Sequence, residues 1–471
     1  MNTIVSELQN LPKFQEYINE IKKKNSPIAI SGMSGVGKLQ YIYASKESTN
    51  RPICIVTYNE IEARRIVDDL KYFTKDFEQI YYFPKRELVT YDYVAESKDL
   101  PYARQEVLNK IENKKAKIVV TTVEALMQKM IARNTLFQNK IELKVGKTYS
   151  VEGIKQKLLN LGYERVDLVE SRGQFSTRGD IIDVAISEKE GIRIEFWGDD
   201  IDSIRKFNVS TQRSSEMMQN TLIMPAHEFI LEDSIENIVQ RIKQDDRDLS
   251  EDIEKKITTK QKQSYENKIE EAKLQDIELI ENGDYVSKIE KYFNYFYTKQ
   301  ETFVDYLHED FIIFYDEISK INQRQDSILI ENKNLMNALI EKEKYIPQSI
   351  QNLQKIEYVR EDKQIIYLAS QEIGAFKGAN TKFKFNYRDV KYYKSEIELL
   401  IGDIIKWLNE KKQVIVLAGN KEEAQKFESL LEEKQVPYSI TNLKNISGEG
   451  STLRYRNCPK GNVPNEQSCC N

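Results

Sequence analysis

The sequence predicts an α/β protein in which a discontinuous parallel-sheet scaffold carries a small inserted α+β module and is followed by a smaller β-α-β-α unit. Three observations carry that prediction. Short apolar runs alternate with helical patterns through the first 140 residues, as the strands and helices of a parallel sheet do. From about 145 to 215 the texture changes to several short strands joined by polar turns, the mark of an antiparallel sheet. An apolar strand ending in two carboxylates lies about 280 residues beyond a glycine-rich loop, which is further than one compact domain of about one to two hundred residues needs. Something is therefore set between the two halves.

Taken in order, Pro27-Ile28-Ala29-Ile30 reads as a buried strand, and Gly32 to Lys38 as a glycine-rich turn leading into a helix. Ile53 to Thr57 is the next strand, followed by the charged, helical stretch Glu60 to Phe73. Ile80 to Phe83 is a strand that ends at Pro84, and Lys117 to Thr122 runs straight into the helical Val123-Glu124-Ala125-Leu126. Asp180 to Ile186 and Ile192 to Trp197 read as strands, and Gly198-Asp199-Asp200 turns the chain into Ile201 to Phe207. Residues 230–305 are rich in Lys and Glu with almost no Gly or Pro, so they read as long surface helices with solvated faces. Phe311 to Tyr315 returns to a buried-strand pattern. Ile365 to Ser370, a helix near Ser395 to Glu410, Val414 to Ala418 and a helix from Glu422 to Glu433 form the last unit. The expected division is 1–144 and 216–330 for the two parts of the scaffold, 145–215 for the module, 331–362 for a polar linker, 363–446 for the small α/β domain, and 447–471 for an atypical tail.

Composition excludes several classes. A chain of 471 residues exceeds one hydrophobic core, and about three domains are expected. Only 10 Pro and 18 Gly rule out collagen-like or low-complexity content as the main substance. Seventy basic against 75 acidic residues give a net charge of -5, so any nucleic-acid contact is local or belongs to another chain. No apolar run approaches the roughly 20 residues that span a bilayer, and Met1-Asn2-Thr3-Ile4-Val5-Ser6-Glu7 lacks the basic and apolar regions of a signal peptide. Four cysteines without a CxxC pair argue against a disulfide framework, and the chain reads as cytoplasmic. His227 and His308 stand apart from any nucleophile or metal-ligand arrangement.

The stretch Gly32-Met33-Ser34-Gly35-Val36-Gly37-Lys38-Leu39 matches GxxxxGK, which makes the scaffold P-loop-like. Gly32, Gly35 and Gly37 let backbone N–H groups converge on phosphate oxygens, a helix N-terminus adds positive potential, and Lys38 supplies a full charge. The next residue should be Ser or Thr, whose hydroxyl holds magnesium; Leu39 cannot. Phe311 to Tyr315 delivers Asp316-Glu317, where an aspartate would hold magnesium and a glutamate would polarise the attacking water. With Leu39 in place the loop reads as degenerate. No catalytic residue, metal or cofactor is assigned, and what Lys38 and the loop amides still allow is weak ATP binding without turnover. The last domain is too short for a second motor lobe that would supply arginine fingers.

A longer stretch is distinctive: Gly162-Tyr163-Glu164-Arg165-Val166-Asp167-Leu168-Val169-Glu170-Ser171-Arg172-Gly173-Gln174-Phe175-Ser176-Thr177-Arg178-Gly179-Asp180-Ile181-Ile182-Asp183. It resembles the module shared by UvrB and the bacterial transcription-repair coupling factors. Phe196-Trp197-Gly198-Asp199-Asp200-Ile201-Asp202-Ser203-Ile204-Arg205 and Pro225-Ala226-His227-Glu228-Phe229 favour the coupling factors, and the likeness covers about residues 1–447. The resemblance implies that the module docks UvrA. Arg165 and Arg178 match the positions of arginines that UvrB-type proteins set against UvrA, with Phe175 beside them as an apolar anchor, while Ser176 stands where UvrB has a further arginine. A rigid guanidinium fork and an aromatic anchor suit such an interface. The alternative reading of Arg165, Arg172 and Arg178 is surface pairing with Asp167, Glu170 or Asp180.

The resemblance further implies transcription-coupled nucleotide excision repair, in which UvrA is brought to stalled RNA polymerase. The full-length family adds a polymerase-binding domain, an ATP-dependent translocase on double-stranded DNA, and an autoinhibitory domain, none of which is in this sequence; no membrane partner is implied. The rival reading is a UvrB-like nucleotide-binding ATPase for damage verification, although the aromatic DNA-clamping hairpin of UvrB is not evident between Tyr81 and Arg104. The end of the chain is expected to be out of frame: a codon choice for Gln467-Ser468-Cys469-Cys470-Asn471, read one nucleotide along, begins Lys-Val-Val-Val, a strand-like run. The alternative is a natural disordered tail.

Overall fold

A computed structural model describes residues 8–71, 73–74, 77–86, 99–244, 259–282, 289–341, 353–356, 358, 360–371, 376, 378–385, 387, 393, 396–412, 414–418, 421–440 and 451–455. The chain divides into two compact units, one drawn from residues 1–52, 65–80 and 364–471, the other from 53–64 and 81–363.

In the first unit the strand Ile28–Ser31 lies between two parallel neighbours, with Ile28 opposite Ile366 of Gln364–Ala369 and Thr381 of Thr381–Lys384. Ile28–Ser31 and Gln364–Ala369 are buried along their whole length, and a strand covered on both faces is written as a continuous apolar run rather than an alternation. The sequence groups Ile365 to Ser370 with the downstream β-α-β-α unit. The register corrects this, because that strand completes the sheet of the glycine-rich loop. The helix Pro12–Lys22 starts on proline, whose missing N–H is no loss at that position, and buries Phe14, Tyr17, Ile18 and Ile21. Further on, Val414–Ala418, Ser451–Tyr455 and Tyr438–Ile440 form a second parallel sheet in that order. The helices Ile397–Asn409 and Lys421–Glu433 pack Ile401, Ile404 and Leu431 against Val414 and Val436. Residues 451–455, expected to belong to the tail, are therefore a central strand; residues 456–471, with Gln467 to Asn471, lie outside the described residues.

The second unit is built on Ile53–Thr57, flanked in parallel by Ile312–Asp316 and Ile118–Thr122, with Ile53 opposite both Ile312 and Ile118. All three strands are buried throughout. Ile118–Thr122 passes directly into the helix Val123–Met127, whose first turn is capped where the Thr122 hydroxyl accepts the Ala125 N–H at 3.3 Å. The helix Ile318–Glu341 runs on through 331–341, where composition reads a polar linker. The charged 230–305 region is also more than solvated surface: Ile238, Val239, Ile242, Ile277, Ile280, Tyr292, Phe293 and Phe296 are buried. Each of the helices Ile235–Lys243, Thr259–Glu281 and Ile289–Phe296 hides an apolar stripe that its Lys and Glu content obscures.

Within this unit sits the α+β module. Its six-stranded sheet runs Ser214–Met218, Asp200–Asn208, Glu190–Trp197, Ile181–Ala185, Gln174–Arg178, Glu164–Arg165. Neighbours are antiparallel except the last, parallel pair. The helix Val151–Asn160, capped by the Ser150 hydroxyl on the Gly153 N–H at 3.1 Å, buries Ile154 and Leu158. They pack in one core with Phe175, Ile182, Val184, Ile192, Ile194, Phe196 and Ile204, and Ile141, Leu143, Ile223 and Ala226 join it from either side. All of these but Ala226 come from a two-stranded pair, Ile141–Lys144 with Asn220–Ile223, so the folded body reaches past 145–215 at both ends. Among the described residues no helix is long and apolar enough to cross a membrane.

Candidate functional site

The strand Ile28–Ser31 delivers Gly32 in the left-handed region at φ 79°, which only glycine adopts without strain. A Cβ at Gly32 would lie 1.9 Å from the carbonyl oxygen of Phe385. The helix Gly35–Thr49 then begins, with Lys38 and Leu39 both buried. A Cβ at Gly37 would lie 2.1 Å from the ring of Tyr387. The Phe385 N–H donates to the Ser31 carbonyl at 2.8 Å and the Tyr387 N–H to the Gly32 carbonyl at 3.1 Å. Gly32 and Gly37 thus admit this chain's own backbone and an aromatic ring. Phe385 and Tyr387 are far from the loop in sequence and carry no local signal that points to it.

Asp316 and Glu317 belong to the second unit and Lys38 to the first. Asp316 is fully buried and accepts a long hydrogen bond from the Thr57 hydroxyl, at 3.5 Å. Glu317 has a left-handed backbone at φ 59°; its carbonyl accepts the N–H groups of Lys320 at 2.8 Å and Ile321 at 3.1 Å, opening the helix Ile318–Glu341.

In the module, Arg165 and Arg178 are both exposed. Arg165 donates to the Thr177 hydroxyl at 3.2 Å, and Arg178 to the backbone carbonyl of Asp167 at 3.3 Å. Neither meets a carboxylate among the described residues, so the alternative, surface pairing of these two with Asp167, Glu170 or Asp180, does not form. Phe175 is corrected outright. It has no exposed surface and its ring belongs to the module core, opposite Val184, so it cannot be an interface anchor. Alternation along Gln174–Arg178 sends Phe175 inward and Arg178 outward. Ser176 is likewise buried. Arg172 is structural: it is ion-paired with Glu188 at 3.0 Å and Glu106 at 3.4 Å, and lies over the Tyr102 ring.

The Pro225–Phe229 segment fastens the module within its unit. Glu228 is buried and accepts Arg104 Nη2 at 3.0 Å and Arg104 Nε, while Arg86 Nη1 stands 3.7 Å away. Arg104, itself fully buried, also bonds the Pro84 carbonyl and lies 4.1 Å over the Phe83 ring. Burial alone would push the Glu228 carboxyl up, but the Arg104 and Arg86 charges hold it below the usual range. His227 packs against Gly162, where a Cβ would lie 2.1 Å from its Nε2, and its Nδ1 accepts the Phe229 N–H at 3.2 Å. Burial lowers the His227 pKa to about 4, against the opposing pull of Glu228. The sequence offers these residues only as part of a resemblance; the ion-pair network they form is not readable there.

Residues 141–229 match the UvrB interaction domain, the same span that the module's core occupies. The class is thus an α/β scaffold bearing a UvrB interaction domain. Over 453 residues, 96% of this chain, the sequence is 26% identical to the transcription-repair-coupling factor of Bacillus subtilis (strain 168). It is also 26% identical over 428 residues, 90% of this chain, to that of Staphylococcus aureus (strain MRSA252). The chain is thus similar to transcription-repair-coupling factors over most of its own length, and spans 38% and 36% of the length of those two relatives.

Proposed function

We propose that the module of residues 141–229 docks UvrA, and that the α/β scaffold presents it so that the excision machinery is recruited to stalled RNA polymerase during transcription-coupled nucleotide excision repair. The observation that carries this reading is the match to the UvrB interaction domain, in which Arg165 and Arg178 stand exposed without carboxylate partners among the described residues. Solvent-facing guanidiniums left to neutral acceptors suit bidentate capture by a partner's carboxylates. Polymerase binding and translocation on double-stranded DNA are proposed for the longer protein that the relatives represent. The scaffold requires no cofactor, and any ATP binding at its loop is weak and without turnover; buried Leu39 and the Tyr387 ring against Gly37 support this over a UvrB-like ATPase. The test is calorimetric titration of purified UvrA into this chain and into its Arg165→Ala/Arg178→Ala variant. Micromolar or tighter binding that the variant loses is the expected result. Absence of binding by the parent chain, or equal binding by the variant, overturns the reading.

A further inference from the structure

We infer that the docking surface extends from Arg178 across the outer face of the six-stranded sheet to Trp197 and Met217, and that this face receives an apolar pocket rimmed by carboxylates on the same partner. The inference rests on the docking reading above and names residues that it does not contain.

Alternation along Glu190–Trp197 sends Ile192, Ile194 and Phe196 into the core and leaves Arg193, Glu195 and Trp197 on the opposite face. Cross-strand register carries that face sideways. Arg178, Ile181, Glu195 and Ser203 form one row, and Ser176, Asp183, Arg193, Arg205 and Met217 form the next. Trp197 lies two residues beyond Glu195. Two strand spacings and one two-residue rise put it about 12 Å from Arg178, well inside the roughly 800 Å² that one partner contributes to a standard interface.

One end of this face is closed by the chain itself, where Val166, Val169, Ala185, Phe207 and Val209 cluster. The other end is open: Trp197 is 84% and Met217 66% exposed. A tryptophan on a rigid strand is the residue type that most often anchors a protein interface. Charge selects the partner's chemistry. Arg193 is held by both oxygens of Asp183 at 2.8 Å, and Arg205 pairs with Glu195 at 3.4 Å. The interior of the face is therefore neutral, while Arg178 at its edge is not neutralised; Arg165, in register with Phe175 and bonded to Thr177, belongs to the other face of the same sheet edge. A complementary surface sets carboxylates against that edge and an apolar recess against Trp197.

The chain has two tryptophans, Trp197 and Trp407, so a Trp407→Phe variant grown with 5-fluorotryptophan reports on Trp197 alone by ¹⁹F NMR. Titrating purified UvrA should move or broaden that signal. Calorimetry should show Trp197→Ala weakening binding by about tenfold or more and Met217→Ala by less, with melting of both variants unchanged because both side chains are exposed. An unmoved ¹⁹F signal and a Kd within twofold of the parent for both variants, with binding still lost in Arg165→Ala/Arg178→Ala, would overturn this inference and leave the docking reading intact. A concentration-dependent dimer in sedimentation that Trp197→Ala abolishes would also overturn it, by assigning the face to a second copy of the chain. If the parent does not bind UvrA, the docking reading fails and this inference falls with it.

Discussion

Replacing Glu228 by Gln should be the most damaging single isosteric change in the second unit. The carboxylate is buried between Arg104, which has no exposed surface, and Arg86, which is nearly as enclosed. The amide would fill the same space and could still accept one hydrogen bond, but two desolvated guanidiniums would lose the negative charge that Glu228 supplies. Removing one partner of a buried pair costs about 3–5 kcal/mol, chiefly because the remaining charge stays buried. At about 1.4 kcal/mol per tenfold in population, that is roughly two to three and a half powers of ten. Hydrogen exchange of the buried amides in Ile118–Thr122 and Ile192–Phe196, measured at neutral pH, reads that population directly and does not require the whole chain to unfold in one step. The Arg104→Met/Glu228→Gln variant should recover part of the loss, since it removes one orphaned cation. Acceleration of less than about fivefold in Glu228→Gln, or no recovery in the double variant, would refute the claim that this triad fastens the module.

Acid should loosen the same region. The His227 pKa is about 4 in the fold against 6.5 unfolded, so the unfolded chain binds more protons between those values. Stability is therefore complete above pH 6.5 and is lost as pH falls towards 4, by about 2 kcal/mol at pH 5; a urea midpoint that is flat from pH 7.5 to 5, or a His227→Gln variant with an unchanged slope, would contradict this. Gly32→Ala should destabilise the first unit by at least about 2 kcal/mol without any nucleotide present, because the new Cβ meets the Phe385 carbonyl at a strained backbone position; thermal melting checks it, and an unchanged melt would mean that the chain after strand Thr381–Lys384 does not close on the loop. Leu39→Ser alone should create no ATP hydrolysis, whereas adding Tyr387→Ala should permit binding of a fluorescent ATP analogue; hydrolysis by the single variant would mean the loop is open. Phe175→Ala should cost about 3–5 kcal/mol as a core truncation, while Arg178→Ala should leave stability within about 0.5 kcal/mol and weaken UvrA binding; equal stability effects would misplace both residues.

Much of this was legible where one period governed a whole element. Ile53 to Thr57, Lys117 to Thr122 and Phe311 to Tyr315 are dominated by continuous apolar runs, and each became a strand buried on both faces. The same local reading failed wherever the decisive neighbour was remote. Nothing near Ile365 says that its strand lies beside Ile28 rather than Val414, because parallel pairing leaves no trace in spacing. In the 230–305 helices Lys and Glu dominate the count, yet a stripe as narrow as Ile238, Val239 and Ile242 suffices for burial. Phe175 shows a different kind of failure. A motif placed it beside two arginines, but period-two alternation along Gln174–Arg178 already assigns it to the face opposite Arg178. The same rule applied to Glu190–Trp197 would have found Trp197.

The arginines of the second unit separate a surface kept for stability from one kept for contact. Arg104 and Arg86 share Glu228, Arg172 takes Glu188 and Glu106, and Arg193 takes Asp183. Each of these enclosed guanidiniums is supplied with a carboxylate, as the cost of an unpaired buried charge demands. Arg165 and Arg178 break that pattern although Asp167, Glu170 and Asp180 lie within a few residues of one or the other. Arg178 reaches Asp167 and takes its backbone carbonyl. A surface pair in water contributes little, about 0–1 kcal/mol, so stability hardly explains either its presence or its absence here. Keeping Arg178 unneutralised on the face of an uncovered tryptophan, with Arg165 equally unneutralised at the same sheet edge, makes physical sense when the missing carboxylates arrive on another molecule, where their desolvation is offset by bidentate bonds made only on docking.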